Sequence, residues 1–193
     1  MIRSYLPVLA ISVAALVSPL PAQSESSAAQ DPGHHKHGAD GTGHDEVTMP
    51  GLRGLDASPE ESAELAHLFR NFPGLNREVE LLADGIRTTT WSDDPGLAEV
   101  LVRHVGGMIA RVEAGRDPQV FIQSPTLDIL FQRRETITTE IEMTETGVRV
   151  LQTSTDPEVV AALQTHAAEV SDMAARGMQA VHEMMMQRAA AGG

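Results

Sequence analysis

Apolar and polar residues follow two rhythms along this chain, and the succession of rhythms occurs twice. From Ser58, the apolar residues Leu65, Leu68, Phe69 and Phe72 recur at helical spacing. Ser58-Pro59-Glu60-Glu61 is a capping box with proline at the first helical position, and Pro73-Gly74 ends the segment. The rhythm then changes to two: Val79 and Leu81 point one way, Glu78 and Glu80 the other. Ala83-Asp84-Gly85 reads as a three-residue hairpin loop with glycine supplying a positive φ, and the return strand over 86–91 sets Arg87 opposite Glu80. Asp94-Pro95 then caps a longer helix striped by Leu97, Leu101, His104, Met108 and Val112, with Gly115 as its stop.

The same grammar returns 62 residues later. Ser124-Pro125 caps a helix holding Leu127, Leu130 and Phe131; Glu140 to Met143 and Val148 to Val150 flank the turn Glu145-Thr146-Gly147; Asp156-Pro157 caps a helix striped by Val159, Leu163, His166, Val170 and Met173. Residues 62–116 align with 124–178 without a gap, with 14 of 55 positions identical. An internal repeat of this kind predicts the architecture ahead of any local reading. The expected fold class is α+β: a tandem pseudo-symmetric repeat of two α-β-β-α units, 58–119 and 120–181, in one domain over 58–193. Two hairpins would join in an antiparallel sheet of about four strands covered by helices, because a lone hairpin is marginal in water. The apolar link Val120-Phe121-Ile122 suits a short extra edge strand.

The ends follow different rules. Arg3 and the apolar run Leu6 to Val17, followed by Pro19-Leu20-Pro21-Ala22, read as a secretory signal peptide over 1–22. That run is too short for a transmembrane helix; the alternative is a retained membrane anchor. Residues 23–57 are poor in apolar side chains and read as a disordered His-rich tail. Export implies a periplasmic or secreted protein. The chain has no cysteine, which excludes disulfides, thiolate chemistry and a covalent CxxCH haem. Removing the signal peptide takes away Arg3 and no acid, so the net charge moves from −13 to −14. Such a surface disfavours nucleic acid and anionic membranes and suits metal cations or a cationic partner.

Candidate chemistry lies in three places. His104 and His166 occupy equivalent positions on the two long helices and are the one repeated identity that folding rules do not require. If they face each other across the pseudo-twofold axis, two neutral imidazoles could ligate one transition metal or both axial positions of a haem iron, with Met108 one turn further as a soft ligand. The alternative is that each is a core residue bonded to a backbone carbonyl. The tail supplies His34, His35, His37 and His44 beside Asp40, Asp45 and Glu46, donors that suit Zn²⁺, Ni²⁺ or Cu²⁺; the alternative is a solvated or pH-responsive spacer. At the C-terminus Met178, His182, Met185 and Met186 share a helical face, which suits Cu(I) or, alternatively, packing at a homodimer contact.

Enzyme signatures are missing: there is no phosphate-binding glycine loop, no G-x-S-x-G and no H-E-x-x-H. The expectation is a non-enzymatic, exported protein that binds Cu or Zn for buffering or delivery. The alternatives are a non-covalent haem between the long helices, which requires an apolar cavity, and a cofactor-free module that binds a partner protein.

Overall fold

The computed structural model describes residues 49–191. Its order of elements is α1 (Pro59–Arg70), β1 (Asn76–Leu82), β2 (Gly85–Trp91), α2 (Pro95–Ala114), α3 (Pro125–Gln132), β3 (Ile137–Met143), β4 (Gly147–Ser154), α4 (Pro157–Arg176) and α5 (Met178–Ala191). The fold is α+β, with a four-stranded antiparallel open sheet in the order β1-β2-β4-β3.

The caps form as their sequences require. Ser58 Oγ accepts from Glu61 N at 3.2 Å while Glu61 Oε2 accepts from Ser58 N at 2.7 Å, closing the capping box of α1. Asp94 Oδ1 accepts from Leu97 N at 2.8 Å, and Asp156 Oδ1 accepts from Glu158 N at 2.9 Å, each ahead of a proline in the first turn. Gly115 ends α2 in the left-handed region at φ 65°, and Gly177, at φ 59°, separates α4 from α5.

The hairpin glycines serve another purpose than the one expected. Gly85 and Gly147 do not have positive φ; among the described glycines only Gly115 and Gly177 do. Both hairpins turn through two residues. Leu82 pairs with Gly85 around Ala83-Asp84, and Thr144 N donates to Gly147 O at 2.9 Å around Glu145-Thr146. Glycine is needed because the neighbouring strand passes close by: a Cβ at Gly85 would lie 1.9 Å from Gln152 O, and one at Gly147 2.1 Å from Thr90 O. The requirement comes from the central β2–β4 pairing, where Gly85 faces Thr153 and Trp91 faces Gly147.

One face of the sheet is polar and exposed. Glu80 pairs there with Arg87, and Glu142 with Arg149 at 2.5 Å. The other face, with Ile86, Thr88, Thr90, Val148 and Val150, is buried under the helices. Leu97 and Leu101 of α2 pack with Leu68, Val148 and Val150, while Val159 and Leu163 of α4 pack with Leu130 and Ile86. Each long helix therefore covers an inner strand of the other hairpin.

Packing begins earlier than Ser58. Met49 and Leu52, assigned to the tail by composition, are buried against Ala66, Phe69 and Val181. Val120 forms one isolated bridge with Gly54 rather than a fifth strand. The signal peptide and tail residues 23–48 lie outside the described residues.

Arg111 ties this segment to the helices. It is 5 % exposed. Its guanidinium donates to both carboxylate oxygens of Glu61 at 2.5 and 2.7 Å, to Asp56 Oδ2 at 2.9 Å, and to the carbonyls of Asp56 and Arg116 at 2.7 and 3.0 Å. The hydrogen bonds from Arg111 hold the Glu61 carboxyl near 2, below its ordinary 4.5.

Gly85→Ala or Gly147→Ala should lower the urea unfolding free energy by about 2 kcal/mol or more, because the added methyl meets backbone that cannot move aside. Since the Glu61 carboxyl is depressed by folding, its stabilisation is complete above about pH 4.5 and is lost as the pH falls towards 2. Urea midpoints at pH 6 and pH 3 should therefore differ less in Glu61→Gln than in the parent, and Arg111→Met should cost about 3 kcal/mol at pH 7.

Candidate ligand cavity

The long helices lie on the same face of the sheet without extensive mutual contact: α2 packs on α1 and β4, and α4 on α3, β2 and β1. Between these helices and the inner strands lies a partly open cavity of about 320 Å³. Its wall is mostly aliphatic, with Leu101, Val105, Ile109, Leu130, Val150 and Val170 among the lining residues.

His104 and Met108 of α2 and His166 of α4 all line this one cavity. The stripe that carries them is divided by depth. Leu97, or Val159 and Leu163, enter the cores nearer the helix N-termini, Leu101 lies at the border, and the histidines follow where the packing opens. His104 is partly buried. Burial lowers its pKa, against the opposing charges of Glu64 and Glu61, so its imidazole is neutral at neutral pH and keeps a lone pair for a ligand.

His166 has a carboxylate behind it. Its Nδ1 lies 3.8 Å from Glu169 Oε2, beyond hydrogen-bond distance. Glu169 is held in turn by Ser124, the cap of α3, whose Oγ donates to Glu169 Oε1 at 2.6 Å. Burial works against the Glu169 carboxylate, and His166, Ser124 and the Arg188 charge outweigh it, so its pKa lies below the usual value. Arg188 of α5 donates to the Gln123 carbonyl at 2.9 Å. Three buried polar atoms here, His166 Nδ1, Glu169 Oε2 and Arg188 Nη2, have no hydrogen-bond partner among the described residues. A proton on His166 Nδ1 would face Glu169, leaving Nε2 as the donor atom towards a ligand.

Arg77 is a cavity residue that the sequence reading passed over. It sits on β1 at the same parity as Val79, so the period-two pattern already assigned it to the inner face. Glu169, three residues after His166 on one helix, was also within reach of the sequence. The Ser124–Glu169 contact joins residues 45 apart and no local pattern carries it.

The other candidates do not join this site. Met178 packs into the core with Val181 and Met184, whereas His182, Met185 and Met186 face outward on α5, so the C-terminal stripe does not form one cluster. His34, His35, His37 and His44 lie outside the described residues. Among the described residues no group of three or more His, Asp or Glu side chains is arranged to hold a metal ion, and no helix is long and apolar enough to cross a membrane. No family model, curated protein or solved structure matches the chain.

Proposed function

We propose that this is an exported protein that holds a transition-metal centre in the interhelical cavity, with His104 and His166 as its ordered ligands and the metal carried in a non-covalently bound haem. The observation that carries this reading is that both repeat-related histidines line one apolar cavity. About 320 Å³ is far more room than a bare ion needs and lies within the range of organic-cofactor sites. The neutral His104 imidazole and the carboxylate behind His166 are what axial ligation of an iron asks of its histidines.

The same proposal treats the two halves as a duplicated unit around a pseudo-twofold axis. Several correspondences at the 62-residue offset support it. Thr88 pairs with its own counterpart Val150 at the middle of the β2–β4 ladder. Ser92 N donates to Thr146 O at 2.9 Å, and the equivalent Ser154 N donates to Asp84 O at 2.8 Å. The core of Leu68, Leu97, Leu101 and Val148 corresponds residue by residue to that of Leu130, Val159, Leu163 and Ile86. On this reading His104 and His166 are symmetry mates on opposite walls of the cavity.

A bare copper ion bound by His104, His166 and Met108 is the second reading. Met108, a soft donor on the wall that carries His104, favours it. The His-rich tail would then act as a separate, unselective metal scavenger.

Adding ferric haem to the mature protein should give a shifted, intensified Soret band with low-spin features. His104→Ala with His166→Ala should abolish it, and Glu169→Gln should weaken haem binding by about 10-fold or more. Calorimetry with Cu(I) and Zn²⁺ in parallel separates the readings. An unshifted Soret together with His104-dependent copper binding selects the bare ion, and the absence of both sinks the site.

A further inference from the structure

Arg77 lines the cavity without an ion pair, whereas most arginines of the fold have one. Arg87, Arg103, Arg111, Arg133, Arg149 and Arg176 each lie against at least one carboxylate. The guanidinium of Arg77 has only hydroxyl partners: Nη1 donates to Thr90 Oγ1 at 2.6 Å and Nε to Ser171 Oγ at 3.3 Å. Among the described residues no carboxylate comes within ion-pairing distance of it. Burial alone pushes its pKa down to about 10, since no neighbouring acid opposes the loss of hydration.

This is an unusual position for a cation in this chain. Acids outnumber basic side chains by 27 to 14, and elsewhere the surplus reaches even half-exposed arginines. A desolvated guanidinium without a counter-ion is costly, and replacing it by an apolar residue of similar size is commonly neutral or stabilising. The two hydroxyl partners of Arg77 do not neutralise its charge. Thr90 and Ser171 hold its Nη1 and Nε, which fixes the planar group in place on the cavity wall. The fork geometry of arginine matches a carboxylate in particular.

We propose that the ligand of this cavity carries a carboxylate that pairs with Arg77 while its apolar body lies along the aliphatic wall. The assignment rests on the cavity being the ligand site and deepens the haem reading, because the porphyrin of haem bears carboxylate side arms on an apolar plane. It does not depend on the metal or on either histidine. Other apolar carboxylic acids share the same chemistry, and the test distinguishes them.

The test uses the full mature protein and two acid–ester pairs: metal-free protoporphyrin IX against its dimethyl ester, and dodecanoate against methyl dodecanoate. Binding is read by porphyrin fluorescence and by calorimetry. At least one acid should bind about tenfold or more tightly than its ester. Arg77→Gln should reduce that acid to the affinity of the ester and leave the ester unchanged, with Arg77→Lys recovering part of the difference. His104→Ala with His166→Ala should leave metal-free binding intact, so failure of iron ligation and failure of the acid anchor are read separately. Preference for metal-free protoporphyrin supports the haem reading, and preference for dodecanoate points to a lipid acid. The acid–ester comparison needs no substitution, so it stands even if Arg77 variants fold poorly. Equal binding of acid and ester in both pairs, or no binding of either acid, overturns the proposal.

Discussion

The central pairing of β2 with β4 is the contact on which the rest of the structure depends. Each hairpin alone has one apolar face and two open edges, too little to persist in water. Joined along the ladder from Gly85–Thr153 to Trp91–Gly147, they make one continuous inner face. The ladder closes only because Gly85 and Gly147 lack side chains where the opposite backbone passes. Once the sheet is continuous, α2 can settle over β4 and α4 over β2, so each helix holds down the other hairpin. That crossing secures the seam and also keeps the two long helices from closing on each other. The cavity is thus a consequence of how the hairpins are joined.

Electrostatics act on this frame in two ways. On the outer face and around the helices, arginines meet glutamates and aspartates at partly exposed sites worth little individually. Arg111 is the exception, since it is buried and satisfies five acceptors that join the segment before α1, the first turn of α1 and the last turn of α2. Removing it would leave the Glu61 carboxylate partly buried and without its main partner. Arg77 bridges β1 to β2 and α4 through two hydroxyls and meets no carboxylate among the described residues. Arg111 is buried and fully used by the fold, whereas Arg77 is half-buried and lines the cavity.

Much of this was legible in the sequence because it is written in local rules. Asp-Pro and Ser-Pro pairs placed the helix starts, Gly115 the end of α2, and alternation the polar face of the sheet. The parts that were not legible depend on contacts between segments distant in sequence. Gly85 looks like a turn residue within its own hairpin; its real constraint is Gln152 O, on a strand more than sixty residues away. Met49 and Leu52 look like tail residues because their partners Phe69 and Val181 are remote. The helical spacing of Met178, His182, Met185 and Met186 was read as one face, but α5 packs through Met178, Val181 and Met184, which turns the rest outward. The histidine pair was visible as a repeated identity, while the cavity beside it was not, because volume left between helices has no signature in a sequence.

The energetics of that volume bear on what the fold is for. The cavity of about 320 Å³ is partly open, so water can enter it, and its aliphatic walls lack protein contacts on that side. Packing it shut would need only larger residues along walls already built from Leu, Val and Ile, a change cores tolerate well when volume is matched. The chain instead keeps Thr88 and Thr90 on the floor, His104 and His166 in the walls, and a cation at the edge. Each of these is worse for packing than the aliphatic residue beside it, and each is a donor or ligand that a bound molecule can use. Binding would return the forgone contacts and add mass-action stabilisation of the native state. On the proposed reading, the walls that lack contacts in the empty cavity would gain them from the bound molecule.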